Sequence, residues 1–155
     1  IANIPYYITT PIIEHIMESN LPIHGMTLLV QKEVASRFSA KPKTKDYGYF
    51  TVFLQHFFTV QVLFDVAPQA FIPPPKVTSS VVQLIRKMDI VCLDELRFFE
   101  FLKQAFSQKR KTLKNNLKMY DWNKILQVLD KYGLSENARA EELSYEAFVA
   151  IFLCL

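Results

Sequence analysis

The stretch ANIPYYITTP, Ala2 to Pro11, sets an amide, a proline and two phenols side by side after an apolar stub. Asn3 offers one acceptor oxygen and two donors. Pro5 fixes its own φ and pushes Ile4 into an extended conformation, so the carbonyls here point in set directions. Tyr6 adds a flat ring. These residue types suit the holding of a nucleobase by its exocyclic amine. Such an amine is a poor nucleophile because its lone pair is delocalised into the ring. Two acceptors that each take one N–H draw the nitrogen towards tetrahedral geometry and free the lone pair without a strong base. The Asn3 side-chain oxygen and the carbonyl of Ile4 or Pro5 are candidates, and stacking on Tyr6 is worth about 1–3 kcal/mol per base. The base must be unpaired or taken out of its stack. The same residues also read as a plain helix-entry turn.

Two further stretches bear on that choice. FIPPPKVTS, Phe71 to Ser79, is a proline-stiffened loop that holds an aromatic in place at little entropic cost, either to close the second face of a base or to fill core. AFSQKRKTLKNNL, Ala105 to Leu117, lies within a segment, Phe101 to Tyr120, that carries Lys103, Lys109, Arg110, Lys111, Lys114 and Lys118 and no acidic residue. If the helix is continuous, Leu102, Phe106, Leu113 and Leu117 form one stripe and the cations fan out beside it. Unopposed cations along an apolar seam point to phosphate contact with RNA or DNA. Lys41, Lys43 and Lys45 extend the set.

Other chemistries find little support. His15, His24 and His56 are scattered with no Cys or carboxylate at ligand spacing, so no metal site is expected. Ser79 and Ser80 lack a nucleophile-elbow context. Cys92 and Cys154 read as ordinary buried thiols of a cytoplasmic protein. The glycines are Gly25, Gly48 and Gly133, too far apart for a phosphate-cradling loop. The longest apolar run, Ala147 to Leu155, is too short to span a bilayer, and no secretory signal pattern opens the chain.

The elements that must position these residues alternate. Ile1 to Asn3 resembles the end of a strand. Thr9 or Thr10 caps a helix with Pro11 at its first position, running to about Glu18. Met26 to Gln31 is a strand covered on both faces, followed by a helical QKEVASRFSA and a basic loop, Lys41 to Gly48. Tyr49 to Phe58 is a buried helix, Thr59 to Val66 a strand, Ala67 to Ser79 the proline loop, and Ser80 to Arg86 a strand. From Asp94 onward only helical periods occur. The expectation is an α/β sheet portion over residues 1–90 and a small all-α domain over 91–155.

Taken in order, NIPYYITTPI, LLVQKEVASRFSAKPKTKDYG, FIPPPKVTSSVVQL, AFSQKRKTLKNNL and RAEELS resemble the small-subunit rRNA adenine N6,N6-dimethyltransferases of the kasugamycin-resistance (KsgA) type. The resemblance covers essentially the whole chain, and the proline loop followed by QKRKTLKNNL is its most selective part. It implies the carboxyl-terminal half of a Rossmann-like class I methyltransferase sheet, followed by a helical domain that engages RNA and the immature small subunit. It implies transfer of methyl groups from S-adenosylmethionine to two adjacent adenines near the 3′ end of small-subunit rRNA. By resemblance, Asn3, Pro5 and Tyr6 match the target-amine motif, Asn3 also borders the cofactor, and Phe71 stacks opposite. Tyr7 stands where some relatives have Asn. The family's glycine loop and acidic cofactor residues lie upstream of the Asn motif, so the chain alone is expected not to bind the cofactor measurably. The alternatives are the antibiotic-resistance type acting on large-subunit rRNA, and a non-catalytic nucleic-acid-binding relative.

Overall fold

Short runs rich in aliphatic residues become the strands of one mixed sheet: β1 (Ala2–Asn3), β2 (Gly25–Gln31), β3 (Phe58–Val66) and β4 (Ser79–Arg86), in the order β1-β2-β4-β3. β1 runs parallel to β2, with Asn3 beside Leu29. β4 inserts antiparallel between β2 and β3. The expected α/β sheet is thus present, and the antiparallel pair β3–β4 closes it. This computed structural model describes residues 1–5, 8–19 and 21–155; Tyr6, assigned a stacking role above, lies outside them.

The chain divides into two units, Ile1–Ser39 with Phe57–Ile90, and Ala40–His56 with Val91–Leu155. In the first, Met26, Leu28 and Val30 are buried, while Thr27, Leu29 and Gln31 are half-buried. β2 therefore has one sealed face and one partly covered face. α1 (Thr9–Glu18) buries Ile13 and Met17, and α2 (Lys32–Phe38) buries Ala35 and Phe38. The α1 cap differs from expectation. Ile8 is the cap residue, and Thr9 is the first helical residue, buried, its hydroxyl donating back to the Pro5 carbonyl at 3.4 Å. Thr9 is turned inward by that bond, and Pro11 still lies in the first turn, where no N–H is required. β3 carries an irregularity between Val62 and Phe64 that leaves Leu63 out of register.

The second unit is helical: α3 (Tyr49–Phe57, as far as His56), α4 (Glu95–Ala105), α5 (Leu113–Asn116), α6 (Trp122–Lys131) and α7 (Tyr145–Cys154). Asp94, Thr112, Asp121 and Ser144 cap α4 to α7, each side chain accepting an N–H of the first turn. Phe98, Phe101, Leu102, Leu113, Leu129 and Phe148 are fully buried in its core. The sequence reading places residues 40–56 with the sheet, but this segment packs among the helices. Tyr47, buried, donates its hydroxyl to the Leu143 carbonyl at 2.7 Å, and Lys43 donates its N–H to Glu141 at 2.7 Å. Burial pushes the Tyr47 phenol well above its ordinary pKa, with the Glu146 charge adding to the effect. Cys92 departs from its expected burial: it is exposed, in the link before α4, and Cys154 is half-buried.

Candidate active site

The sheet unit sets the Asn3 and Phe71 stretches against one another. β1 ends at Asn3, whose side chain is exposed at the carboxyl edge, while the next residue, Ile4, is buried and anchors the turn. That edge is where open α/β sheets place ligands. Pro5 is exposed, and its carbonyl accepts from the Ile8 N–H at 3.1 Å and the Thr9 hydroxyl. From the β3–β4 loop comes Phe71, half-buried, after a 3-10 turn at Pro68–Ala70. Asn3, Ile4, Pro5, Phe71, Pro73 and Pro75 all line one cavity of about 330 Å³. Residues of both stretches therefore line the same space, although the sequence separates them widely.

The feet of that loop are tied by Lys32, Asp65 and Ser80, to which the sequence assigns no such role. Lys32 Nζ lies 2.5 Å from Asp65 Oδ2, and the Ser80 hydroxyl donates to Asp65 Oδ1 at 2.7 Å. Hydrogen bonds from Lys32 and then Ser80 hold the Asp65 carboxyl below its ordinary pKa. The three residues stand far apart in the chain, and only the strand register brings them together.

In the helical unit the single helix assumed for the basic stretch is broken. α4 ends at Ala105, and Thr112 caps a new short helix, because the Leu113 N–H is drawn to the Ala138 carbonyl at 2.8 Å. Asn116, buried, holds the intervening turn through its amide, which donates to Ala105 at 2.6 Å and Gln108 at 3.3 Å. Leu102, Leu113 and Leu117 are still buried, and Lys103, Lys109, Arg110, Lys111, Lys114 and Lys118 are all exposed. Lys109 Nζ donates to the Lys45 carbonyl at 2.9 Å, which joins the Lys41–Lys45 loop to this set. Lys103 lies 5.7 Å from the Tyr49 ring and Lys114 5.5 Å from the Trp122 ring. His15 and His24 are exposed; His56 is buried, its Nδ1 3.0 Å from the Tyr145 hydroxyl. Among the described residues no group of three His, Cys, Asp or Glu could hold a metal, and no helix is long and apolar enough to cross a membrane.

The mixed four-stranded α/β sheet is that of solved methyltransferases. A dimethyladenosine transferase from Plasmodium falciparum superposes with a TM-score of 0.83 at 26% identity, over 98% of this chain and 64% of that one. The 23S rRNA methyltransferase ErmE superposes with a TM-score of 0.75 at 24% identity, over 99% and 63%, a likeness of fold alone. The model of the ribosomal RNA adenine dimethylase family matches residues 1–155, and the chain belongs to that family. Ribosomal RNA small subunit methyltransferase A of Streptococcus pneumoniae (strain P1031) is 40% identical over 97% of this chain and 55% of its own length. The Bacillus cytotoxicus protein of the same name is 39% identical over 97% and 54%. The chain thus spans about half the length of these curated relatives.

Proposed function

We propose that the chain carries the target-base side of an S-adenosylmethionine-dependent rRNA adenine N6-dimethyltransferase. Its substrate is a pair of adjacent adenines near the 3′ end of small-subunit rRNA, modified as the subunit is assembled in the cytoplasm. The observation that supports this reading is the shared cavity of Asn3, Ile4, Pro5 and Phe71. It is large enough to admit a flat heteroaromatic ring, and its lining includes an amide residue and an aromatic one.

In this reading an unpaired adenine enters edge-on. Asn3 Oδ1 accepts one N6–H and a main-chain carbonyl accepts the other. Pro5 already receives two donors, so the proposal puts the second acceptor at Ile4. The amine nitrogen pyramidalises, its lone pair turns outward, and Phe71 together with Tyr6 grips the ring faces. The cofactor, when bound, supplies an electrophilic methyl group. Asn3 is the residue here that fits its edge, being exposed with both donor and acceptor capacity. The described glycines lie elsewhere, at the start of β2, before α3 and after α6, and form no cradle beside β1. Lys103, Lys109, Arg110, Lys111, Lys114 and Lys118 hold RNA through its phosphates, which fixes register without reading sequence.

The test offers immature small subunits and large subunits, separately, to the full-length protein with methyl-labelled cofactor, and digests the rRNA for mass spectrometry. Dimethyladenine in small-subunit rRNA alone is expected. Label confined to large-subunit rRNA, or absent from both, overturns the proposal.

A further inference from the structure

The loop from Ala67 to Thr78 carries Phe71, and apart from the turn at Pro68–Ala70 it has no regular structure. A ring on such a loop serves as a wall only if the loop's two feet are held. Asp65 and Ser80 face each other across β3 and β4, one pair before the loop begins. The Ser80 hydroxyl donates to Asp65 Oδ1 at 2.7 Å, and Lys32 Nζ meets Asp65 Oδ2 at 2.5 Å. The backbone N–H of the same Lys32 donates to the carbonyl of Thr78, the last loop residue, at 3.0 Å. Lys32 directly follows β2, the strand paired with β1 and therefore with Asn3. One residue thus fastens both feet of the Phe71 loop to the strand beside the amide.

We infer that Lys32 and Asp65 are positioning residues that set the gap between the Phe71 wall and the Asn3–Ile4–Pro5 wall of the cavity. The inference rests on the reading of that cavity as the base site. Neither residue lines the cavity; they act through the loop. Lys32 and Asp65 are both exposed at their contact, and an exposed ion pair adds little to folding. A displacement of about 1 Å at a reacting centre, by contrast, costs up to about a hundredfold in rate. Geometry, not stability, is what the pair controls.

The experiment uses the full-length protein with 4-fluorophenylalanine at position 71 alone. Lys32→Met, Asp65→Asn, the double variant and Glu33→Gln are compared, the last removing an exposed ion pair with Arg37 on the same helix. The fluorine resonance is expected to move and broaden in Lys32→Met and Asp65→Asn and to stay put in Glu33→Gln. In the first two, kcat should fall about tenfold or more, with KM for RNA and the melting temperature nearly unchanged, and the double variant should be no worse than either single. An unmoved resonance with unchanged kcat overturns the inference, as does full additivity in the double variant. Asp65→Asn is nearly isosteric, so the result does not hang on a variant that fails to fold. If the wild type methylates no adenine while the resonance still responds, the loop clamp stands and the functional reading is what fails.

Discussion

In the proposed reading Asn3 and Phe71 divide the work of holding a base: one engages its edge, the other its face. Phe71→Ala removes a stacking wall worth about 1–3 kcal/mol per base, so kcat/KM for RNA should fall by about tenfold to a hundredfold, while Phe71→Tyr keeps most activity. Steady-state methylation kinetics check this. Asp65 makes a prediction about pH. Its folded pKa is depressed below the ordinary 3.8 by hydrogen bonds from Lys32 and Ser80. What its charged form contributes is therefore fully present above 3.8 and is lost as pH falls through the lower folded value. Asp65→Asn should lose that contribution at neutral pH, where it is small for so exposed a group, and flatten the acid limb so that the two proteins converge at low pH, as read from denaturant midpoints across an acid series.

At the scale of elements, register and caps explain why the site forms where it does. Gly25 opens β2 opposite Ile85, and a Cβ there would lie 2.7 Å from the Leu84 carbonyl oxygen. Gly25→Ala must push two backbones apart, with a cost on the order of 1–3 kcal/mol, visible as a lowered urea midpoint with unchanged slope. The strands were legible because aliphatic runs and prolines mark them: MTLLVQ and SVVQLIR became β2 and β4 almost as read. The α1 cap was not, because a hydroxyl that bonds backwards to Pro5 looks in sequence like one that caps forwards. The break after Ala105 was hidden because leucine spacing survives it. Leu113 and Leu117 re-enter the same core from a new helix, and the deciding bond, Leu113 to Ala138, is long-range. Likewise nothing local marks Lys32, Asp65 and Ser80 as partners.

For the whole molecule, the informative quantity is where charge sits. A formal net charge of +3 is modest, yet the turn between α4 and α5 and the Lys41–Lys45 loop gather exposed cations in the helical unit, joined by the Lys109–Lys45 bond. Replacing Arg110 and Lys114 by Gln should weaken RNA binding and lower the slope of log K against log salt, by about 0.7–0.9 for each phosphate no longer neutralised. Filter-binding titrations at several salt concentrations check both, and an unchanged slope would show these cations to be merely solvated. Cys92 illustrates the limit of composition at this scale: a residue type read as buried is exposed in the segment before α4.

The most direct test of the account replaces Asn3 by Ala in the full-length protein and measures N6-dimethyladenine in small-subunit rRNA alongside RNA affinity. Loss of an acceptor aimed at the reacting amine should lower transfer by about a hundredfold to a thousandfold, with affinity essentially retained. Methylation at the wild-type rate would contradict the central claim that this amide activates the base.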